Sequence, residues 1–119
     1  MLDKVLRISL LFDFYGALLT DKQRQCMEMH YLSDFSLSEI ANEFAVSRQA
    51  IHDILRRAEQ TLEGYEVKLH LVERHQREQQ NIIEVYELLE KLPSNVMQVS
   101  EVNQAMVKLS SLLDWPKEV

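Results

Sequence analysis

Residues 36–62, SLSEIANEFAVSRQAIHDILRRAEQTL, read as two short helices joined by a tight turn. Ser36 followed three residues later by Glu39 is a capping box: the hydroxyl serves an amide that the first helical turn leaves unpaired, and the carboxylate serves the amide of Ser36 itself. Leu37, Ile40, Ala41 and Phe44 then recur at i, i+3, i+4 and i+7, one apolar face of a helix. Ser47 is placed to cap a second helix, in which Ile51, Ile54, Leu55, Ala58 and Leu62 form another apolar stripe. Two such stripes facing each other across a turn of about three residues make a helix-turn-helix shape.

The far side of the second helix carries different chemistry. With Ile51, Leu55 and Leu62 as the buried direction, helical geometry puts Gln49, Asp53 and Arg56 nearly opposite, and His52 and Arg57 on the flanks. In DNA-binding motifs of this shape the second helix enters the major groove with its N-terminal residues at the base edges, where Arg and Gln can bond a base bidentately. Ser47, Arg48 and Gln49 occupy that leading end. The candidate nucleic-acid contacts are therefore Ser47, Arg48, Gln49, His52, Asp53, Arg56 and Arg57. An ordinary helical hairpin with a solvated charged face would share the caps and stripes, but the outward Gln and Arg chemistry favours nucleic acid.

Two resemblances are carried by these residues. Leu19 to Leu62, beginning LTDKQRQCMEMHYLSDFSLSEIANEFAVSRQAI, resembles region four of bacterial sigma factors, their promoter-recognition module. LLTDKQ, EIA, VSRQAI and YEVKLHL together resemble the YlxM-like family of small bacterial proteins, over roughly residues 1 to 92. That second resemblance implies a cytoplasmic helix-turn-helix protein with a regulatory link to the signal recognition particle pathway. One residue departs from the motif: Ala45 stands in the turn where Gly is usual, so a positive φ there would cost roughly 1–2 kcal/mol.

At 119 residues the chain can bury one sizeable core, and one domain plus an extension is the default. Hydrophobic residues make up 46% while Gly and Pro number two each, which favours long helices over short strands. The expected fold is all-α: a trihelical, sigma region-four-like core with an N-terminal helix over residues 1–63, and a C-terminal helical extension over 64–119. Nineteen acidic against thirteen basic side chains give −6, the wrong overall sign for nucleic acid. Over residues 47–58, however, three Arg oppose one Asp, and screening within about 8–10 Å makes local charge decisive. Residues 64–119 hold six basic and nine acidic side chains, so the extension is not expected on phosphate.

The N-terminal stretch LDKVLRISLLFDFYGALL is apolar enough to raise the question of a signal or membrane segment. Asp3, Lys4, Arg7 and Asp13 interrupt it well short of the ~20 apolar residues a bilayer span needs. Leu2, Val5, Ile8, Phe12, Tyr15 and Leu19 instead mark an amphipathic helix that packs on the motif, with Leu11, Phe14 and Leu18 widening its apolar surface. Thr20 with Gln23 forms a second capping box, starting the supporting helix at Asp21 and carrying it to Leu32. The shared core is expected at Met27, Ile40, Ala41, Phe44, Val46, Ile51, Ile54 and Leu55.

Gly64 is expected to end the second motif helix. Beyond it Tyr65, Leu69, Val72, Ile83 and Tyr86 fit a heptad seam with a polar middle at Gln76 and Gln79. One long helix over 65–92 is preferred to a restart at Asn81 and Glu84. Pro93 ends it. Ser94 or Asn95 then caps a last helix with Val99, Val102, Met106, Leu109 and Leu113 on one face, closed by Trp115 and Pro116.

No catalytic constellation is present in this reading. The four His are widely spaced, with no Cys cluster for a metal and no Gly-rich loop for a nucleotide, so neither metal nor cofactor is expected. Lone Cys26 agrees with a reducing compartment and reads as a packing residue. Two functions remain: a DNA-binding regulator, and an adaptor for protein or RNA components of the signal recognition particle with the motif as scaffold. No membrane association is expected, and the excess apolar seams predict a homo-oligomer, most simply a homodimer.

Overall fold

The computed structural model describes residues 2–114, and every regular element among them is helical. Helix α1 spans Leu2–Tyr15 and passes through a 3-10 turn, Gly16–Leu18, into α2, Asp21–Met27. A π-helical turn, Glu28–Leu32, extends α2. Helices α3 (Leu37–Phe44) and α4 (Arg48–Leu69) form the motif; α5 (Leu71–Glu90), α6 (Ser94–Met97) and α7 (Ser100–Ser111) follow. The chain divides into two units, Met1–Val72 and Glu73–Val119.

In the first unit α4 is the hub against which α1, α2 and α3 all pack. Its line Ile51, Leu55, Ala58 and Leu62 is buried, and closes on Ile40 and Ala41 of α3, Cys26 and Met27 of α2, and Ile8, Leu11 and Tyr15 of α1. Phe44, Val46 and Ile54 are half-buried at the margin of this core rather than inside it. The α1 stripe is rotated from the expected one: Leu11 is completely buried while Val5 is 41% exposed, because Ile8, Leu11 and Tyr15 form the line that meets α4.

Local chemistry sets the boundaries of the motif helices. Both capping boxes are formed, with Ser36 Oγ accepting from the Glu39 amide at 3.1 Å and the Glu39 carboxylate from the Ser36 amide at 2.8 Å. Thr20 and Gln23 do the same at 3.2 and 3.1 Å. Such caps contribute about 1 kcal/mol each. Ala45 follows α3 with φ 55° and ψ 45°, left-handed as the motif requires, while the amide of Val46 reaches back to the Ala41 carbonyl at 3.0 Å. Cys26 is fully buried, and burial pushes its thiol up, as suits a packing residue.

The expected break at Gly64 does not occur. Helix α4 runs through it to Leu69, because the buried line continues from Leu62 to Glu66 and outweighs the ~1 kcal/mol that a helical Gly costs. The break comes at His70, which is left-handed at φ 56°. A single helix over 65–92 is therefore replaced by the end of α4 and all of α5, and the heptad seam is interrupted at the same point. Asn81 starts no helix, since it lies inside α5.

In the second unit, α5 ends at Glu90, ahead of Pro93. The expected last helix is two, α6 and α7, and neither Ser94 nor Asn95 provides a side-chain cap; Pro93 and Val99 precede the two starts. Gln79 holds the end of α7, donating from Nε2 to the Leu112 carbonyl at 2.8 Å and accepting the Asp114 amide at 2.8 Å. His75 Nε2 meets Asp114 Oδ2 at 2.5 Å beside it. Met106 and Leu113 are buried there. The closing role expected of Trp115 and Pro116 lies outside the described residues.

Candidate nucleic-acid interface

The surface of interest is built by the start of α4. Ser47, extended at φ −76° and ψ 156°, turns its Oγ onto the Ala50 amide at 3.0 Å and so launches the helix. One lone pair of that hydroxyl is spent on the cap, and its O–H remains able to donate. Arg48, Gln49, His52, Asp53, Arg56 and Arg57 are all exposed, together on the first three turns of α4 and away from Ile51 and Leu55.

These residues form a partly ordered surface. Gln49 Nε2 donates to Asp53 Oδ1 at 3.1 Å, one helical turn on, and His52 Nδ1 lies 3.7 Å from the same oxygen. Asp53 thus orients Gln49, leaving its amide oxygen and second N–H for an outside partner. Among the described residues Arg48, Arg56 and Arg57 form no ion pair, whereas Lys4, Arg7, Arg24 and Arg77 each meet a carboxylate within 4.0 Å. Lys22, Lys68, Arg74, Lys91 and Lys108 form none either among the described residues, so what sets Arg48, Arg56 and Arg57 apart is that all three lie together on the exposed leading half of α4.

Two clefts flank this face, and sequence reading did not reveal them. One, of about 490 Å3, is lined by Lys4 of α1, His30 and Tyr31 of the π turn, and His52, Arg56 and Glu59 of α4. The other, of about 420 Å3, continues along the α1–α4 seam and shares Lys4, Arg56 and Glu59. Glu59 anchors both: its Oε2 accepts from the Tyr31 hydroxyl at 2.5 Å, and its Oε1 lies 3.5 Å from Lys4 Nζ. Burial, reinforced by that carboxylate, pushes the Tyr31 phenol above its ordinary range. At the far end of the seam Arg7 grips Glu63 through Nε at 3.0 Å and Nη2 at 2.8 Å, which holds the Glu63 carboxyl low. Nothing local could have announced this grouping, since Lys4, His30 and Arg56 come from three distant stretches.

Among the described residues no group of three His, Cys, Asp or Glu could hold a metal, and no helix is long and apolar enough to cross a membrane.

Residues 2–108 match the family described as "Putative helix-turn-helix protein, YlxM / p13 like", UPF0122. A UPF0122 protein of Halalkalibacterium halodurans is 50% identical over 112 residues, 94% of this chain and 96% of its own. Those of Caldanaerobacter subterraneus subsp. tengcongensis, 52% identical over 75% of this chain and 76% of that protein, and of Bacillus mycoides, 45% over 92% and 99%, are similar too. With its motif helices, caps and left-handed turn in place, the chain belongs to the UPF0122 family of YlxM/p13-like helix-turn-helix proteins.

Proposed function

We propose that the protein is a DNA-binding regulator, with α4 as its reading helix and no catalysis of its own. The observation that carries this reading is the set of three unmatched arginines, Arg48, Arg56 and Arg57, on the exposed leading half of the second motif helix. In the major groove, Gln49 would bond a base edge in the orientation Asp53 sets, and Asp53 itself could accept from a cytosine amine. Arg48, Arg56, Arg57, His52 and the Ser47 O–H would lie towards phosphate. The net charge of −6 does not oppose this, because acidic groups more than about 10 Å away are largely screened at 0.1 M salt. Fluorescence anisotropy with genomic fragments at low salt tests the reading: binding weakened by Arg48→Gln, Arg56→Gln and Arg57→Gln supports it, and no binding by the parent refutes it.

The regulator would act in the cytoplasm as a homodimer, its two reading helices addressing half-sites about 34–36 Å apart. Exposed apolar side chains such as Leu88 and Val107, 64% and 69% accessible, support assigning pairing to the 64–119 extension. A second reading is an adaptor that binds protein or RNA components of the signal recognition particle, with the motif as scaffold; the acidic balance outside residues 47–58 favours its protein form. Capture of such components by a protein that binds no DNA would favour it.

A further inference from the structure

We infer that the cleft between α1, the π turn and α4 is a seat for a phosphate group, completed by residues outside the helix-turn-helix. It lies beside the flank of α4 that carries His52 and Arg56, and Lys4 and His30 face it from two other elements. A helix lying in the major groove has a phosphate strand on either side. Arg57 lies about 100° further round α4, on the other side of the outward line through Asp53 and away from the cleft, so the seat draws on Arg56 rather than Arg57.

The donors are arranged for an anion. Arg56 has no ion pair among the described residues and presents a planar set of N–H groups that suits phosphate oxygens. His30 Nδ1 lies 2.9 Å from the Phe35 carbonyl oxygen. A carbonyl can only accept, so Nδ1 carries the hydrogen; Nε2 is left to face outward, a donor when the ring is protonated. Glu59 is the one acid on the cleft wall; the Tyr31 hydroxyl and Lys4 hold its carboxylate in place and Lys4 offsets part of its charge, but the remainder opposes an anion. Substituting it therefore has an informative sign.

The backbone-phosphate form of this seat rests on the DNA-binding reading, whereas free phosphate would fill the same seat without it. Inorganic phosphate and duplex DNA are the two probes, each titrated into the full chain and into the Arg56→Gln, Lys4→Gln and Glu59→Gln variants. Lys108→Gln, in the second unit, is the control, and melting curves check each fold. Phosphate should shift the side-chain NMR resonances of Arg56, His30 and His52. Glu59→Gln should tighten anion binding, and Lys4→Gln weaken it, by about 2- to 5-fold each, the range of an exposed charge pair.

If the seat holds backbone phosphate, Arg56→Gln lowers the slope of log affinity against log salt by about 0.9 for every duplex sequence, while Lys108→Gln leaves it alone. Phosphate filling the cleft of a protein whose duplex binding is absent, or indifferent to Arg56→Gln, identifies free phosphate as the occupant; absent duplex binding additionally removes the DNA-binding reading alone. No response to inorganic phosphate, with duplex binding either absent or unmoved by Arg56→Gln and Glu59→Gln, overturns the seat.

Discussion

The hydroxyl of Tyr15 donates a 2.6 Å hydrogen bond to Oε1 of Glu66, a carboxylate only 6% exposed, 51 residues further along the chain. The same oxygen accepts the Val72 amide at 3.1 Å, and the Tyr15 oxygen accepts the Leu71 amide at 3.1 Å. Two of the amides that open α5 are thereby satisfied from α1 and α4, and left-handed His70 becomes the place where the long helix breaks. The structure predicts that Tyr15→Phe costs about 1–3 kcal/mol, since it deprives a buried carboxylate of one of its donors and the Leu71 amide of its acceptor. Glu66→Gln, which keeps an acceptor in place, should cost less. Urea denaturation measures both, and a Tyr15→Phe protein within about 0.5 kcal/mol of the parent would show that the network contributes little.

Ala45→Gly should stabilise. At φ 55° the Ala Cβ is crowded in a way that Gly avoids, worth roughly 1–2 kcal/mol, against about 0.4–1 kcal/mol of added freedom in the unfolded chain. The expected net gain is between zero and roughly 1.5 kcal/mol, read as a rise in Tm; a fall would mean that the native turn leaves the left-handed region.

Acid should unfold the first unit partly through two carboxylates. The Ser36 amide holds the Glu39 carboxyl below its ordinary 4.5, and the Arg7 guanidinium does the same to Glu63. In both cases the folded-state value lies below the unfolded one. Their contribution is therefore complete above about pH 4.5 and disappears as pH falls through the lower folded values. Glu39→Gln can still form the capping box but has no proton to take up, so its Tm between pH 5 and 2 should fall less than the parent's. Equal acid dependence in the two proteins would remove Glu39 from this account.

How much of this was legible in the sequence follows from the reach of each interaction. The caps at Thr20, Ser36 and Ser47, the apolar lines of α3 and α4 and the outward set from Gln49 to Arg57 depend on neighbours within a few residues, and these were readable. The halt at His70 was not, because the side chains that accept the Leu71 and Val72 amides, Tyr15 and Glu66, meet only when α1 packs on α4, and Gly64 offered a stronger local signal in the wrong place. The rotated stripe of α1 has a similar origin: Val5 and Leu11 are equally apolar, and only the position of α4 decides which of them is buried. The phosphate cleft needs three elements at once, and neither Lys4 nor His30 carries a local mark of it.

The core and the reading face should separate cleanly on mutation. Ile51, fully buried, should cost on the order of 2–5 kcal/mol when replaced by Ala. Exposed Gln49 and Arg56 should each stay within about 0.5 kcal/mol on the same change. Thermal melts of the three variants check this, and a large loss at Gln49 would mean that its bond to Asp53 is part of the fold rather than of recognition.

The most direct test of the central claim is equilibrium binding of the parent, Gln49→Ala and Arg56→Ala proteins to a site selected from random duplex DNA, repeated at several salt concentrations. The account predicts that the parent selects a site, that Gln49→Ala loses about 1–3 kcal/mol on it with relaxed preference at one position, and that Arg56→Ala weakens all duplexes alike with a shallower salt dependence. Folded variants that bind every duplex as the parent does, or a parent that selects no site and binds none at low salt, would contradict it.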